Sequence, residues 1–142
     1  MTVIEALQNA QEAVVRILKK AKLVDGSELD EDQLKGKKEK RVMFWYRQAP
    51  LYASGRELFV IWAIPSLEPV AFGDNRVAVR DAYVSVDFYS KNGEYDEKTL
   101  QLMARVAKEF EDHEWRFEKV ALDSIDYVEG LTQIRYKATK KI

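Results

Sequence analysis

The chain holds one histidine and no cysteine, so any chemistry must be built from carboxylates, hydroxyls, amines and a single imidazole. His113 lies in EFEDHEWR, at the expected end of a helix, where an imidazole commonly faces solvent or the helix dipole. With no second histidine and no thiolate, a zinc ion would have to be held by carboxylates alone beside it. Asp25, Glu28, Asp30, Glu31 and Asp32 crowd one stretch, but they lack the D-x-[DN]-x-[DN]-G spacing and closing Glu that wrap calcium in oxygens. They read as a solvated loop. Asp87, Glu109 and Asp112 could serve as paired carboxylates for acid–base work, yet nothing in their spacing brings them together. The run KGKKEKR, with Lys35, Lys37, Lys38, Lys40 and Arg41, could touch phosphates, but no aromatic residue interleaves with it. No P-loop, dinucleotide-binding or nucleophile-elbow pattern occurs. These residues assign no catalytic, metal or cofactor site, and the chain reads as a non-enzyme that needs no cofactor.

One stretch stands apart. PVAFGDNRVAV, residues 69–79, places Gly73, Asp74 and Asn75 between two apolar runs. These residue types tolerate positive φ, so the chain can reverse there as a hairpin. Phe72 and Arg76 beside an exposed tip are the kinds of side chain that anchor protein interfaces. Phe72, Asp74, Asn75 and Arg76 are therefore the candidate interface residues.

The elements that would carry this turn follow from periodicity. Val3, Ile4, Leu7, Ala10, Val14, Ile17, Leu18 and Ala21 recur at helical spacing, with Thr2 and Glu5 in a capping-box pattern and Lys19, Lys20 and Lys22 at the last turn. Residues 23–41 lose that period, hold two glycines and a mixed charge run, and read as a charged mobile loop with a helical turn near Leu29 to Leu34. VMFWYRQ (42–48) and ELFVIWAI (57–64) read as strands apolar on both faces. The simplest connection between them is an antiparallel hairpin, and Pro65 and Pro69 are expected to end the second strand. RDAYVSVDFYS reads as a half-exposed strand, with Val84, Val86 and Phe88 on one side and Tyr83, Ser85, Asp87 and Tyr89 on the other. Asp96 is a plausible cap for a second helix with Leu100, Met103, Val106, Ala107 and Phe110 on its apolar side. WRFEKVAL and LTQIRYKA complete the set as the last two strands. The expected fold is a single α+β domain over 1–142, a mainly antiparallel sheet of about five strands with two helices on one face.

Composition sets the remaining bounds. With 142 residues, 46% of them hydrophobic, one packed core is expected. Lys plus Arg number 23 against 24 acids, so no global field draws in nucleic acid or an anionic membrane. The first residues, MTVIEALQNAQEAVVRILKKAK, do not read as a signal peptide, and no window approaches the about 18 apolar residues of a membrane span. A small domain with two strands apolar on both faces has apolar surface to spare beyond its own core.

Taken in order, RVMFWYRQAP, then LFVIWAIPSLEPVAFGDNRVAVRDAYVSVDFYSKNGEYDEKTLQLMARVAKEF, then DYVEGLTQIRYKA resemble the tail terminator, or tail completion, proteins of long-tailed bacteriophages and prophages. The resemblance covers most of the chain from Val42 onward and the leading helix; the long, charged stretch 23–41 departs from it. It implies an α+β subunit of a ring, usually a hexamer, that caps the head-proximal end of the tail tube and stops its polymerisation. The implied partners are further copies of the chain, the tail tube protein, a head-completion or neck protein, and DNA passing through the lumen, in the virion and in the host cytoplasm during assembly. Two other readings are a different head–tail joining protein and a ligand-binding or enzymatic domain with Trp45, Tyr46, Trp62 and Tyr89 lining a pocket.

Overall fold

The computed structural model describes residues 3–35, 39–50, 53, 56–73, 76–120, 125–128 and 130–141. The first helix, α1 (Val3–Lys20), buries Ala10, Val14, Ile17 and Leu18 of the expected stripe, and Ala6 with them, whereas Ile4, expected on that stripe, is 68% exposed. Lys19 and Lys20 occupy its last turn, where the dipole favours cations. Thr2, the expected cap, lies outside the described residues.

The next segment is where sequence and structure differ first. Residues 23–41, expected as a loop with one helical turn, contain β1 (Val24–Asp25), a 3-10 turn (Gly26–Glu28) and α2 (Glu31–Lys35). Leu23, Val24 and Gly26 are buried. The acids here act as local caps: Asp25 accepts from the Ser27 backbone N–H at 3.0 Å and its hydroxyl at 2.7 Å. Asp30 and Gln33 cap each other's backbone N–H at 2.8 and 3.0 Å.

The strands β2 (Met43–Tyr46) and β3 (Leu58–Gly73) pair in parallel, Met43 against Phe59 and Tyr46 against Trp62. The expected antiparallel hairpin is thus corrected. Eleven residues, 47–57, separate the two strands, enough for the chain to cross back and start β3 at the same end as β2, whereas tight hairpins use two to five. The second correction concerns the prolines. Pro65 and Pro69 do not end β3, which runs 16 residues to Gly73. Register shifts fall between Ala63 and Ser66 and again between Pro69 and Ala71. β2 has ended by then, so no neighbour on that side needs the missing N–H.

From Gly73 the chain turns into β4 (Arg76–Ser90), antiparallel to β3. Ser90 donates or accepts with Thr99 at 2.8 Å, fastening the end of β4 to α3 (Glu97–Asp112). Asp96 caps α3 as expected, accepting from the Thr99 backbone N–H at 3.3 Å. Leu102, Met103, Val106 and Phe110 are its buried stripe, while Leu100 is 44% exposed, contrary to its expected place on the apolar side. After α3 come β5 (Arg116–Lys119), β6 (Ile125–Val128) and β7 (Leu131–Lys141). The sheet order is β1-β2-β3-β4-β7-β5, and β6 joins β7 on the same side as β5. The fold is α+β: among the described residues there are seven strands, with two parallel junctions at one side and antiparallel pairing elsewhere, two more strands than the sequence suggests.

Both faces of this sheet are covered within the chain. On one, α1 and α3 pack over Phe44, Val60, Trp62, Val84, Val86, Phe88, Ile134 and Ala138. Arg105 locks the two helices together by donating to the Ala21 carbonyl at 2.8 Å. On the other face, Met43, Trp45, Phe59, Tyr89 and Leu131 are closed over by Leu29, Leu34, Ala49 and Ala53 from segments 23–41 and 47–57. Arg56 straps these segments together, reaching the carbonyls of Leu34 at 3.0 Å and Glu39 at 2.9 Å. The apolar surplus expected on β2 and β3 is therefore consumed internally.

Candidate interface

Outside this doubly covered base, β3 and β4 continue alone. β2 reaches only as far as Trp62 along β3, and β7 reaches only to Asp81 along β4, where it pairs through Lys141. Residues Pro69–Gly73 and Arg76–Arg80 thus extend as a two-stranded ribbon, with Pro69 opposite Arg80, Phe72 opposite Val77, and Gly73 opposite Arg76. Phe72 and Arg76 stand at the end of this ribbon, as the turn chemistry suggests. Asp74 and Asn75 lie outside the described residues.

The root of the ribbon is anchored by polar contacts that the sequence gave little sign of. Arg47, at φ 67°, turns the chain out of β2, and its backbone N–H donates to the Trp62 carbonyl at 2.8 Å. Its guanidinium sits 5.4 Å from the centre of the Tyr46 ring. Burial pushes the Tyr46 hydroxyl up, but hydrogen bonds from Gln11, Arg47 and the Ile64 backbone outweigh it and hold its pKa below the ordinary value. One tyrosine thereby ties α1, the end of β2 and the point where β3 leaves the sheet. A surface depression of about 490 Å³ beside it is lined by Gln11, Glu12, Val15 and Arg16 of α1.

The residues that could have done chemistry are spoken for elsewhere. His113 is the C-cap of α3; its Nδ1 donates to the Glu109 carbonyl at 2.7 Å, leaving Nε2 to accept from Lys20 Nζ at 3.4 Å. Asp87 is bound by Arg135 at 3.0 Å and by Gln133 at 3.2 Å, on the sheet face away from α3. Asp112 pairs with Lys108 at 3.0 Å on α3, so the three carboxylates once considered together sit on opposite faces. Glu28 pairs with Lys19 at 2.8 Å, and Arg41 with Glu39 at 2.9 Å. Lys37 and Lys38 of the basic run lie outside the described residues. Trp62 packs beneath the helices while Trp45 and Tyr89 fill the opposite cluster, so the four aromatics of the pocket reading do not line one cavity. Among the described residues no three His, Cys, Asp or Glu side chains gather to hold a metal ion, and no helix is long and apolar enough to cross a membrane.

Two strands without a third neighbour bury little backbone and are marginal by themselves in water. Neither a protein-family model nor a curated protein sequence matches this chain.

Proposed function

We propose that the chain is a structural subunit of a phage tail, a tail terminator that assembles with its own copies into a ring at the head-proximal end of the tail tube. The observation that carries this reading is the ribbon Pro69–Gly73 and Arg76–Arg80, in which β3 and β4 outrun every neighbour among the described residues. Its sequence, PVAFGDNRVAVR, is rich in small and apolar residues. Such a ribbon stabilises itself poorly, and docking it on an adjacent subunit supplies the missing contacts. The base, covered on both faces, is the rigid body that would present it. The resemblance of the ordered strand, turn and helix segments to tail terminators adds the biological setting. The ring would stop tube polymerisation, offer one side to the tail tube protein and the other to a neck protein, and let DNA pass through its lumen. No cofactor and no catalytic step are part of this role.

Two substitutions at the end of the ribbon test it. Phe72→Ala and Arg76→Glu are expected to shift the protein toward monomer in sedimentation velocity while circular dichroism and the melting temperature stay close to wild type. Assembly unchanged in both variants would take the turn out of the interface.

A further inference from the structure

A ring needs an adhesive mode as well as an adhesive element, and the edges of the sheet differ in what they can accept. On β3, the edge left free beyond Trp62 carries Pro65 and Pro69, which have no N–H to offer a new strand. Prolines on an exposed edge blunt strand addition. On β4, the edge left free beyond Asp81 runs through Arg76, Val77, Ala78, Val79 and Arg80, with neither proline nor glycine. Among the described residues, nothing pairs with β4 there.

The far side of the sheet offers two short edges. β5 presents both signs of charge, and Arg116 and Glu118 neutralise each other on it. Among the described residues β6 is paired to β7 alone, through Ile125, Asp126 and Val128. The sequence through it, DSIDYVE, has three acids and no base, whereas RVAVR on β4 has two arginines and no acid. The two strands are similar in length and rich in β-formers, and opposite charges across a strand pair stabilise it.

We propose that the free edge of β4 at Arg76–Arg80 accepts β6 of a second copy of this chain as an added strand, the acidic β6 against the arginine-flanked β4. The proposal rests on the self-assembly reading above and specifies its contact. Main-chain hydrogen bonds supply the adhesion, and the charge pattern selects the partner edge. Because the two edges belong to different strands on opposite sides of the sheet, the contact is heterologous. It propagates head to tail and closes into a ring when the rotation between neighbours allows. The proline-bearing edge of β3 keeps copies from pairing the wrong way.

Sedimentation velocity on the full chain, with charge-swapped variants, tests this pairing. R76E/R80E and D123R/D126R/E129R, each of which sets like charge across the contact, are each expected to raise the dissociation constant for assembly at least tenfold. The combined variant, with two acids on β4 against three arginines on the β6 segment, is expected to recover most of the loss. Hydrogen exchange of the wild-type protein gives a second readout that needs no variant: on concentration from monomer to assembly, amides in 76–80 and 125–128 are expected to gain protection together. Assembly at wild-type strength in both swapped variants, a combined variant with no recovery, or protection gained elsewhere would overturn the edge pairing while leaving self-assembly intact. A wild-type chain that stays monomeric throughout would overturn both.

Discussion

Two stretches of the same strand live under different rules. From Leu58 to Trp62, β3 has β2 on one side and β4 on the other, helices beneath and the Trp45 cluster above. From Ser66 to Gly73 it has β4 alone. The first stretch is stabilised by the chain's own burial, so its residues answer to packing. The second has no second neighbour within the chain, so selection on it can act through contacts with something else. The contrast separates folding from assembly along one continuous strand.

The largest effect should come from the base. Phe88 and Phe44 are fully buried beneath the helices. Replacing either with Ala should cost about 3–5 kcal/mol of unfolding free energy, measured by urea denaturation. Phe72→Ala on the ribbon should cost under about 1 kcal/mol in the same assay while weakening assembly. Equal costs at the two places would erase the distinction. Next is Gly26, whose added Cβ would fall inside the Trp45 indole. Gly26→Ala should lower stability by about 1–3 kcal/mol through overpacking, and a neutral result would mean the second face is not closed as described.

Arg56→Ala should follow, at about 1 kcal/mol, since the guanidinium donates to carbonyls at the end of α2 and at Glu39. Urea denaturation reads it, and hydrogen exchange should quicken in 23–41 before it does in the sheet. The smallest effect concerns pH. The Arg41 side chain, helped by its backbone N–H, holds Glu39 down to about 2 from its ordinary 4.5. A carboxylate depressed on folding stabilises above its unfolded pKa, and that contribution is lost as pH falls from about 4.5 toward 2. Because Arg41 is 64% exposed, solvent screening keeps the contribution under about 1 kcal/mol. Glu39→Gln should flatten that part of the stability–pH curve by no more than this, and a larger change would point to a more buried pair.

Much of the fold was legible because strong periodicity leaves few choices. The cap of α3 and most of both helical stripes could be read from the sequence, with two exceptions: Ile4 is 68% exposed, and Leu100 is 44% exposed while Leu102 turns inward. The antiparallel pairing of PVAF with RVAV was legible from the chemistry of the residues between them. Pairing direction was not. Nothing local distinguishes an 11-residue crossover from a loose hairpin, and only the helices and the Arg56 strap decide it. Pro65 and Pro69 misled because a proline stops a central strand but not one whose neighbour has already ended. β1 has two residues and β6 four, too few to show a period. At the candidate interface, Phe72 and Arg76 were named from the turn, but the ribbon behind them depends on where β2 and β7 stop, a property of other segments.

The central claim is that this chain exists to be joined to copies of itself. Native mass spectrometry of the wild-type protein across a wide concentration range measures it directly. The account predicts a closed oligomer of defined stoichiometry that dissociates on dilution; a monomer at every concentration, carrying a bound metabolite or turning over a substrate, would contradict it.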